Sequence, residues 1–468
     1  MKSAYTILLS ILISGLSYGQ ANLKSETNEL ATQLTDKEVF KQIFDTEMTS
    51  GKCYGVLEKL CAEMPHRLSG SENAGKAVAY MKKVMESYKF DTVYLQPVMV
   101  PHWVRGEKET AFFSSGTDQI SVNICALGGS VGTREKGLTA NVIEVKSVEE
   151  LKALEDTDVK GKIVFLNGEM NPKYIRTFQA YSETGEQRWT GPWVAQEKGA
   201  IGVIVRSLTT IVDKNPHTGS KGTREGNNGI PSAAISTYHA NQLSKTLKVN
   251  PDVKFSMTMH CETLPDRLSY NVIGEIGGSE KPEEIVVVGG HLDAWDNGEG
   301  AHDDGAGCVQ SVEVLRLFKK LNLTPKRTVR VVLFMNEENG LKGGKAFADS
   351  VKNQNQNIIA AIESDAGGFT PRYFVCQTHD ARLEKVTSWL PLFEPYSVYA
   401  VEYGHAGADI SPLDPEKTLL IGYRPDSQRY FDYHHAATDK FEAVNQRELE
   451  LGAANMTALV WMLSNYGL

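Results

Sequence analysis

The chain has 468 residues, which is enough for two or three domains, and 41% of them are hydrophobic and 23% charged. This is the composition of an ordinary globular protein, so it excludes a fibrous repeat and a largely disordered chain. The net charge of −9 argues against nucleic-acid binding, because a protein that binds phosphates needs a basic surface.

The N-terminus has the pattern of a secretory signal peptide, predicted to cover residues 1–19. Lys2 precedes an apolar run over residues 4–16, and the small residues Ser17 and Gly19 follow it. An uncleaved membrane anchor is the alternative, but the run is shorter than the roughly 18 apolar residues of a spanning helix. We therefore expect a secreted or periplasmic protein that does not contact the membrane once the signal is removed.

The six cysteines show no spacing typical of a zinc knuckle or a redox pair. Export permits disulfides, but Cys53 and Cys61 flank a predicted helix and lie about 12 Å apart, which is too far to bridge. We expect most of the cysteines to be buried free thiols, and the sequence leaves any pairing open.

Residues 20–126 are predicted to form the first part of the main domain. Residues 36–88 have helical character with a break from Pro65 to Ser71, and residues 90–100 have the pattern of an extended segment. The texture changes at residue 127, where glycines become frequent. Residues 127–262 therefore predict an inserted, mainly-β domain, with strands expected over 159–167, 198–205, 229–236 and 253–259 and a helix over 238–247.

Residues 263–468 alternate between strands and helices and carry most of the chemistry. Apolar runs over 285–290, 328–334 and 358–362 each end in polar, metal-competent residues. A helix predicted after residue 304 has an apolar stripe of Cys308, Val312, Leu315 and Phe318. This alternation predicts an α/β fold with a largely parallel sheet covered by helices on both faces. In such sheets ligands collect at the carboxyl ends of the strands.

Each of these polar motifs has an ordinary explanation when it is taken alone. His291-Leu-Asp293 could be a strand-end histidine, Asp303-Asp304 could cap a helix, and Glu337-Glu338 could be a solvated turn. The alternative is a metal site, in which one carboxylate binds two cations and Glu337 or its neighbour acts as general base. A carboxylate near His291 could fix its second ring nitrogen.

Taken together, the motifs favour a two-metal hydrolase. The candidate ligands are two imidazoles and three carboxylates, a set that suits Zn²⁺ and tolerates Mn²⁺ or Co²⁺. Two divalent ions about 3.5–4 Å apart carry four positive charges against three negative ones, which leaves room for one hydroxide. The five candidates are His291, Asp303, Glu338, Asp365 and His435, although His434 could replace His435.

The same motifs resemble the M28 family of metallopeptidases, in its plasma glutamate carboxypeptidase-like (carboxypeptidase Q) branch. The resemblance rests on Gly-Gly-His291-Leu-Asp293, Gly-Ala-His302-Asp303-Asp304, Asn-Glu337-Glu338, Glu-Ser-Asp365-Ala-Gly-Gly, and His435 with Asp439 four residues later. It extends to the segment that begins at Arg67, and residues 127–262 look like the protease-associated (PA) domain often inserted in this family.

The resemblance implies a three-layer αβα fold and a role for each residue. Asp303 would bridge two zinc ions, with Glu338 and His435 completing one site and His291 and Asp365 the other. Glu337 would be the general base that activates a bridging hydroxide, and Asp293 would hold His291. The family's spacing before Asp439 selects His435 over His434. The expected substrate is a short peptide or dipeptide, and relatives of this type are often homodimers.

Two features depart from the family pattern, and two other functions are possible alternatives. Gly407–Ile410 replaces a Gly-Ser-Asp-His-like turn, and His302 adds an imidazole that could be an extra ligand or a substrate contact. A glutaminyl cyclase-like acyltransferase would use a single zinc, and a non-catalytic PA-domain binding protein would have lost ligands. The sequence does not distinguish an aminopeptidase from a carboxypeptidase, and neither Arg424 nor Arg429 can be assigned to a substrate carboxylate.

Overall fold

The computed structural model describes residues 34–133 and 135–468, so the predicted signal peptide lies outside the described residues. By their contacts the residues divide after Gln42, and both sheets lie in the compact unit Ile43–Leu468. None of the described helices is both long and apolar enough to cross a membrane.

The strands alternate largely with helices over residues 263–468, as the sequence predicts. In chain order the strands are β1 Thr92–Val104, β2 Thr110–Ser115, β3 Asp118–Val122, β4 Ile124–Ala126, β5 Leu138–Val145, β6 Ile163–Leu166, β7 Gly202–Arg206, β8 Ser232–Ile235, β9 Lys254–Thr258, β10 Glu262–Ile276, β11 Lys281–His291, β12 Arg327–Phe334, β13 Asn357–Ser364, β14 Pro371–Cys376, β15 Ala400–Tyr403 and β16 Leu419–Pro425.

The helices differ widely in length, and the longest flank the main sheet. They are α1 Asp36–Ser50, α2 Cys53–Glu63, α3 Glu72–Ser87, α4 Val148–Ala153, α5 Asp156–Val159, α6 Thr177–Thr184, α7 Glu186–Trp189, α8 Gly191–Glu197, α9 Thr237–Val249, α10 Ala306–Leu321, α11 Lys342–Asn353, α12 Ala381–Ser388, α13 Leu390–Phe393, α14 Tyr430–Tyr433 and α15 Gln446–Tyr466. Short 3₁₀ turns follow at Glu394–Tyr396 and Phe441–Ala443, and an irregular wide turn, Ala301–Gly305, leads into α10.

The main sheet has eight strands in the order β1-β10-β12-β11-β13-β16-β14-β15. Its centre is parallel, because β11 pairs in parallel with β12 and β13, and β13 with β16. Antiparallel pairs flank this centre at β1–β10, β10–β12 and β14–β16. The four central strands therefore end at one edge of the sheet, where the candidate metal residues follow them.

Helices cover both faces of this sheet, which explains the nearly continuous apolar runs of its central strands. Every residue of β12 is buried. On one face α10 packs against α15, α2 and the strands, and on the other Phe347 of α11 packs on Phe334 and Val287. The predicted three-layer α/β fold is confirmed.

The second sheet also has eight strands, in the order β3-β2-β9-β5-β6-β7-β8-β4. Short helices accompany its strands, and a core of its own includes Val164 and Leu166 of β6, Val203 and Val205 of β7, and Leu151 of α4. The sheet includes β2–β4, which precede the predicted start of the insert at residue 127. The domain boundaries at 127 and 262 stay a prediction.

Candidate metal centre

The carboxyl edge of the main sheet brings the five predicted ligands together. His291 is the last residue of β11, Asp303 lies in the turn before α10, and Asp365 follows β13 directly. Glu338 lies four residues after β12, and His435 follows α14. Four of the five are buried and Asp365 is half-buried, so the groups converge at the floor of a cleft.

Asp303, His291 and Asp365 form the first group. The Nε2 atom of His291 lies 3.2 Å from Asp303 Oδ1 and 3.7 Å from Asp365 Oδ1. The Nδ1 atom of His291 lies 2.9 Å from the main-chain oxygen of Asp293 and must donate to it, because a carbonyl only accepts. In the neutral form of the ring the lone pair is therefore on Nε2 and faces the two carboxylates, which is the form that a metal ligand requires.

Asp303, Glu338 and His435 form the second group. The Nε2 atom of His435 lies 3.2 Å from Glu338 Oε2 and 3.4 Å from Asp303 Oδ2. Its Nδ1 atom lies 3.2 Å from the carbonyl oxygen of Thr218 and donates to it in the form of the ring that leaves Nε2 free for a metal. Asp303 is thus common to both groups, with one carboxylate oxygen facing each.

His434 is the alternative to His435, and its surroundings differ. The two rings stack with centroids 3.5 Å apart, and the Nε2 atom of His434 lies 3.8 Å from Asp303 Oδ2. Its Nδ1 atom, however, has no hydrogen-bond partner among the described residues. A ligating histidine normally has its second nitrogen fixed, so the geometry favours His435.

Burial sets the electrostatics of the site. It raises the pKa of Asp303 and, with Asp303 close by, raises the pKa of Glu338 well above its usual range. Burial also lowers the pKa of His435, and His434 and Arg188 lower it further. For His291 burial acts in the same direction, but hydrogen bonds with Asp303 and Asp365 outweigh it and raise the pKa. Carboxylates crowded in this way favour a bound cation.

The predicted partnership of Asp293 with His291 takes a different form. The carboxylate oxygen lies 4.0 Å from His291 Nδ1, and the main-chain carbonyl of Asp293 holds the ring instead. The carboxylate accepts hydrogen bonds from the main-chain N–H groups of Asn336 and Glu337, at 2.6 and 3.1 Å. Asp293 therefore positions the turn that carries Glu337 and Glu338.

Asp304, the residue after Asp303, has a structural role. Asp304 accepts from the N–H groups of His291 and Gly307, both at 3.0 Å, so it ties β11 to the start of α10. A side chain at Gly307 would collide with the carbonyl oxygen of Ser364, so this close approach needs glycine. The peptide bond between Asp303 and Asp304 is cis.

Both ring nitrogens of His302 form hydrogen bonds within the protein. Its Nδ1 atom accepts from the N–H of Gly368 at 3.2 Å, its Nε2 atom donates to the carbonyl of Ala443 at 3.3 Å, and its ring stacks on Phe369. Asp439 accepts from the main-chain N–H groups of His302 and Asp303. His302 and Asp439 thus shape the loop around Asp303.

The two arginines that the sequence left unassigned have partners elsewhere. Arg424 donates to the carbonyls of His405 and Ala406, and Arg429 pairs with Glu448. All six cysteines are buried and free, which confirms the expectation of unpaired thiols.

The domain built on the second sheet contributes three residues to the site that the sequence did not reveal. Arg188 lies 3.3 Å from His435 Nδ1 and donates to the carbonyl of Thr218 and to the hydroxyl of Tyr181. Arg188 and Tyr181 line a cleft of about 540 Å³ together with Glu337 and four of the candidate ligands, Asp303, Glu338, Asp365 and His435. No motif surrounds Arg188 or Thr218, and Thr218 acts through a carbonyl that every residue has.

The site fits two divalent cations. Two sets of donor atoms could each hold a cation, because the atoms within each set lie within 4.8 Å of one another. One set is formed by Asp303, His434 and His435, and the other by His291, Asp303 and Asp365. Asp303 Oδ2 and Glu338 Oε1 are buried without a hydrogen-bond partner among the described residues. Such atoms are costly to bury unless something binds them, and a nitrogen/oxygen set of this kind suits zinc.

Models of two protein families match parts of the chain. The model of "Peptidase family M28" matches residues 271–460, and that of the "PA domain" matches residues 132–243. "Carboxypeptidase Q" of Xenopus laevis is 33% identical over 474 residues, covering 100% of this chain and 98% of the relative.

Solved structures with the same fold extend the comparison. A peptidase M28 precursor from Shewanella amazonensis SB2B has a TM-score of 0.88 and 34% identity, covering 92% of this chain and 97% of that one. A zinc aminopeptidase from Bacillus subtilis has a TM-score of 0.63 and 19% identity, covering 89% of this chain and 95% of that one. The latter likeness concerns the fold alone.

Proposed function

The chain belongs to peptidase family M28, and we propose that it is an exopeptidase that hydrolyses short peptides or dipeptides with two zinc ions. The ions would be held by His291, Asp303 and Asp365 on one side and by Asp303, Glu338 and His435 on the other. Mn²⁺ or Co²⁺ are the expected substitutes.

The observation that carries this proposal is the position of Asp303 between two imidazoles. Its Oδ1 faces the Nε2 atom of His291 and its Oδ2 faces the Nε2 atom of His435, at 3.2 and 3.4 Å. Both imidazoles have their Nδ1 atoms fixed by carbonyls, so both turn a lone pair towards Asp303. A shared carboxylate between two ligating rings is the arrangement that two co-catalytic metals need.

The residues around the cleft support a hydrolytic mechanism. Zinc ions held there would supply Lewis-acid chemistry, since they polarise the scissile carbonyl and make water more acidic. Glu337 lines the cleft beside the ligands, and burial raises the pKa of its carboxyl to about 8. Its carboxylate would accept the proton of the attacking water and pass it to the leaving amine. Asp293 keeps Glu337 in place through its main-chain N–H.

The names of the relatives guide the choice of substrate, and the N-terminal sequence guides the choice of location. The relatives include a carboxypeptidase and zinc aminopeptidases, so peptide ends are the expected target. The proposed signal peptide makes the enzyme secreted or periplasmic. A homodimer stays a prediction of the resemblance. The single-zinc acyltransferase and the non-catalytic binding protein are less well supported, because both donor groups around Asp303 are complete.

A substitution of the proposed base tests the mechanism. Glu337→Gln should bind zinc as the unchanged chain does but lose about 10²–10⁴-fold in kcat, which is the usual contribution of a general base. The measurements are zinc content and the rate on free, N-acetylated and C-amidated dipeptides. Glu58→Gln, on the exposed side of α2, is the control and should keep full activity.

Each part of that experiment has a result that contradicts the proposal. Normal turnover by Glu337→Gln would exclude the proposed base. A reproducible content of one zinc with full activity would exclude the two-metal site. Loss of cleavage on acetylation alone identifies an aminopeptidase or dipeptidase, and loss on amidation alone identifies a carboxypeptidase. No cleavage of any of these peptides by the zinc-loaded chain would exclude the proposed activity.

A further inference from the structure

A short loop of the second sheet touches the segment that carries His435. The main-chain N–H of Thr218 donates to the carbonyl of His435 at 3.0 Å, and His217 and Ala436 pair as an isolated antiparallel bridge. The Nδ1 atom of His217 lies 2.7 Å from the carbonyl oxygen of His434 and donates to it. Three consecutive residues of the catalytic segment are therefore held by this loop.

The loop is itself fixed to the second sheet. The N–H of His217 donates to the hydroxyl of Ser207, which donates to the carbonyl of Ile235 at the end of β8. The hydroxyl of Thr218 donates to the carbonyl of Ala126 at the end of β4. Both His217 and Thr218 are buried. Hydrogen bonds to the ends of β4 and β8 therefore fix the position of the loop.

The carbonyl of Thr218 supports the form of the His435 ring that can bind a metal. This oxygen can only accept, so a ring that donates to it from Nδ1 keeps its lone pair on Nε2, facing Asp303 and Glu338. The Nη1 atom of Arg188 lies 3.3 Å from the same Nδ1 atom and can only donate, and in this form of the ring it donates to the Thr218 oxygen instead. The Nδ1 atom of His291 is held in the same way, but by a carbonyl only two residues away in the chain, that of Asp293. Only for His435, of these two rings, does the fixing carbonyl come from another sheet.

Arg188 holds that carbonyl in place. Its Nη1 atom donates to the oxygen of Thr218 at 3.3 Å, and its Nη2 atom donates to the hydroxyl of Tyr181. Its guanidinium is buried, and a side chain at Gly219 would overlap it. The Thr218 oxygen therefore has two contacts, one with Arg188 and one with the ring of His435, and both hold the carbonyl in its position.

We infer that the inserted domain is a structural part of the metal centre, in which Arg188 and His217 are positioning residues for His435. They act through the Thr218 carbonyl and the 434–436 segment, so they control metal affinity at the site of Asp303, Glu338 and His435 and not at the other. This inference rests on the proposed two-zinc function.

A thermodynamic consequence follows from the inference. If the contact with the insert strengthens zinc binding at one site, zinc binding must strengthen the contact to the same extent, because coupling between sites is reciprocal. Zinc should therefore protect the main chain around residues 207–223 from hydrogen exchange, although none of these residues is a proposed ligand. A domain that merely covers the cleft would show no such zinc-dependent protection.

The test compares two variants with a matched control. Arg188→Gln removes the cation and its hydrogen bonds, and His217→Ala removes the bond to His434. Arg176→Gln is the control, because Arg176 also joins the insert to the catalytic domain, through an ion pair with Glu402, but contacts no proposed ligand. Each chain is stripped of metal and titrated with Zn²⁺, and hydrogen exchange is followed with and without zinc.

The expected result is a loss of affinity at one site. Residues that orient a ligand typically contribute about 10–100-fold to metal affinity, so both variants should bind one zinc normally and the other about 10–100-fold more weakly. The zinc-dependent protection around residues 207–223 should also be lost. Arg176→Gln should match the unchanged chain in both measurements.

Three results would overturn the inference. Two normal zinc sites in both Arg188→Gln and His217→Ala would do so, and so would an equal loss in Arg176→Gln. The third is the absence of zinc-dependent protection in the unchanged chain, a measurement that requires no variant to fold. A failure of the proposed function looks different, because the unchanged chain would then not bind two zinc ions.

Discussion

At the scale of single residues, His434 and His435 turn their Nε2 atoms towards the same oxygen of Asp303, and their Nδ1 atoms distinguish them. The ring of His435 is held by a carbonyl and lies 3.2 Å from Glu338, whereas the Nδ1 atom of His434 has no partner among the described residues. Only one of the two rings is therefore prepared to bind a metal ion.

Substitution of each histidine separates their roles. His435→Gln should reduce the zinc content from two ions to about one and abolish activity, because no other ring faces both Asp303 and Glu338. His434→Gln should keep both ions, since its Nε2 atom lies farther from Asp303 Oδ2 than that of His435 does, at 3.8 against 3.4 Å, and its Nδ1 atom has no hydrogen-bond partner among the described residues. Zinc content and activity are measured on both purified variants. Loss of one ion in His434→Gln, with two retained in His435→Gln, would reverse the assignment.

The sequence could indicate the candidate ligands but not what holds them. His291 and Asp365 stand at the ends of apolar strands, and this pattern is visible without a structure. The carbonyl of Thr218, which fixes His435 from 217 residues away along the chain, has no such pattern. Main-chain groups are the same in every residue, so a contact that uses them leaves no trace in the sequence.

At the scale of elements, Arg67 joins the two loops that carry His291 and Asp303. It is fully buried, and its three donor nitrogens each bond a main-chain carbonyl, at Leu292, Glu299 and Gly300. These carbonyls lie directly after β11 and directly before the turn that contains Asp303. A single guanidinium therefore sets the distance between the two loops.

Removal of this guanidinium should affect stability and metal binding together. Arg67→Met keeps most of the volume but leaves three carbonyls unsatisfied, and each costs about 1–3 kcal/mol. We expect a loss of at least about 3 kcal/mol in the free energy of unfolding, with weaker binding of zinc. Urea unfolding and zinc titration check this.

Arg267→Met is the control for Arg67→Met. Arg267 is exposed and donates one bond to the carbonyl of Gly70, in the segment that Arg67 also belongs to. It should lose no more than about 1 kcal/mol and should bind zinc normally. Equal effects of the two substitutions would show that Arg67 has no special role at the two loops.

The central elements could be predicted because their patterns are strong. The strands expected over 285–290, 328–334 and 358–362 are β11, β12 and β13, each one to five residues longer in all than predicted. The turn Ala301–Gly305 was missed, since its backbone depends on contacts of Asp304 with β11 and α10 rather than on local preference.

At the scale of the whole molecule, the metal site connects parts of the chain that are far apart in sequence. The carboxylate of Asp303 lies close to three groups, His291 at the end of β11, Asp365 after β13 and His435 after α14. Bound cations would therefore link several elements and stabilise the folded state over the unfolded one, in which these groups are dispersed.

Removal of the metal should lower the unfolding temperature. An ion present at a thousandfold excess over its Kd contributes about 4 kcal/mol, so chelation should lower the Tm by several degrees, and added zinc should restore it. Calorimetry with and without a chelator measures this. Magnesium is the control, because it prefers an octahedral set of oxygen ligands. Equal Tm values with and without zinc would contradict a linking role for the metal.

The extent of the second sheet was harder to predict than its existence. Glycines and short strands indicated an inserted domain, but β2–β4 lie before residue 127 and join the same sheet through β9 and β8. Strand partners that are more than a hundred residues apart follow from the packing of the whole domain. A single sequence does not contain that information.

The strands that lead into and out of the second sheet have a consequence for engineering. β1 and β10 run side by side and antiparallel, from Thr92 opposite Glu275 to Val104 opposite Glu262. A two-residue hairpin turn could therefore join Val104 to Glu262 and close the main sheet without the 157 residues between them. The shortened chain would keep every proposed ligand and yet lack the oxygen that orients His435. Topology would permit this excision, but the shortened chain should bind zinc more weakly at the site of His435.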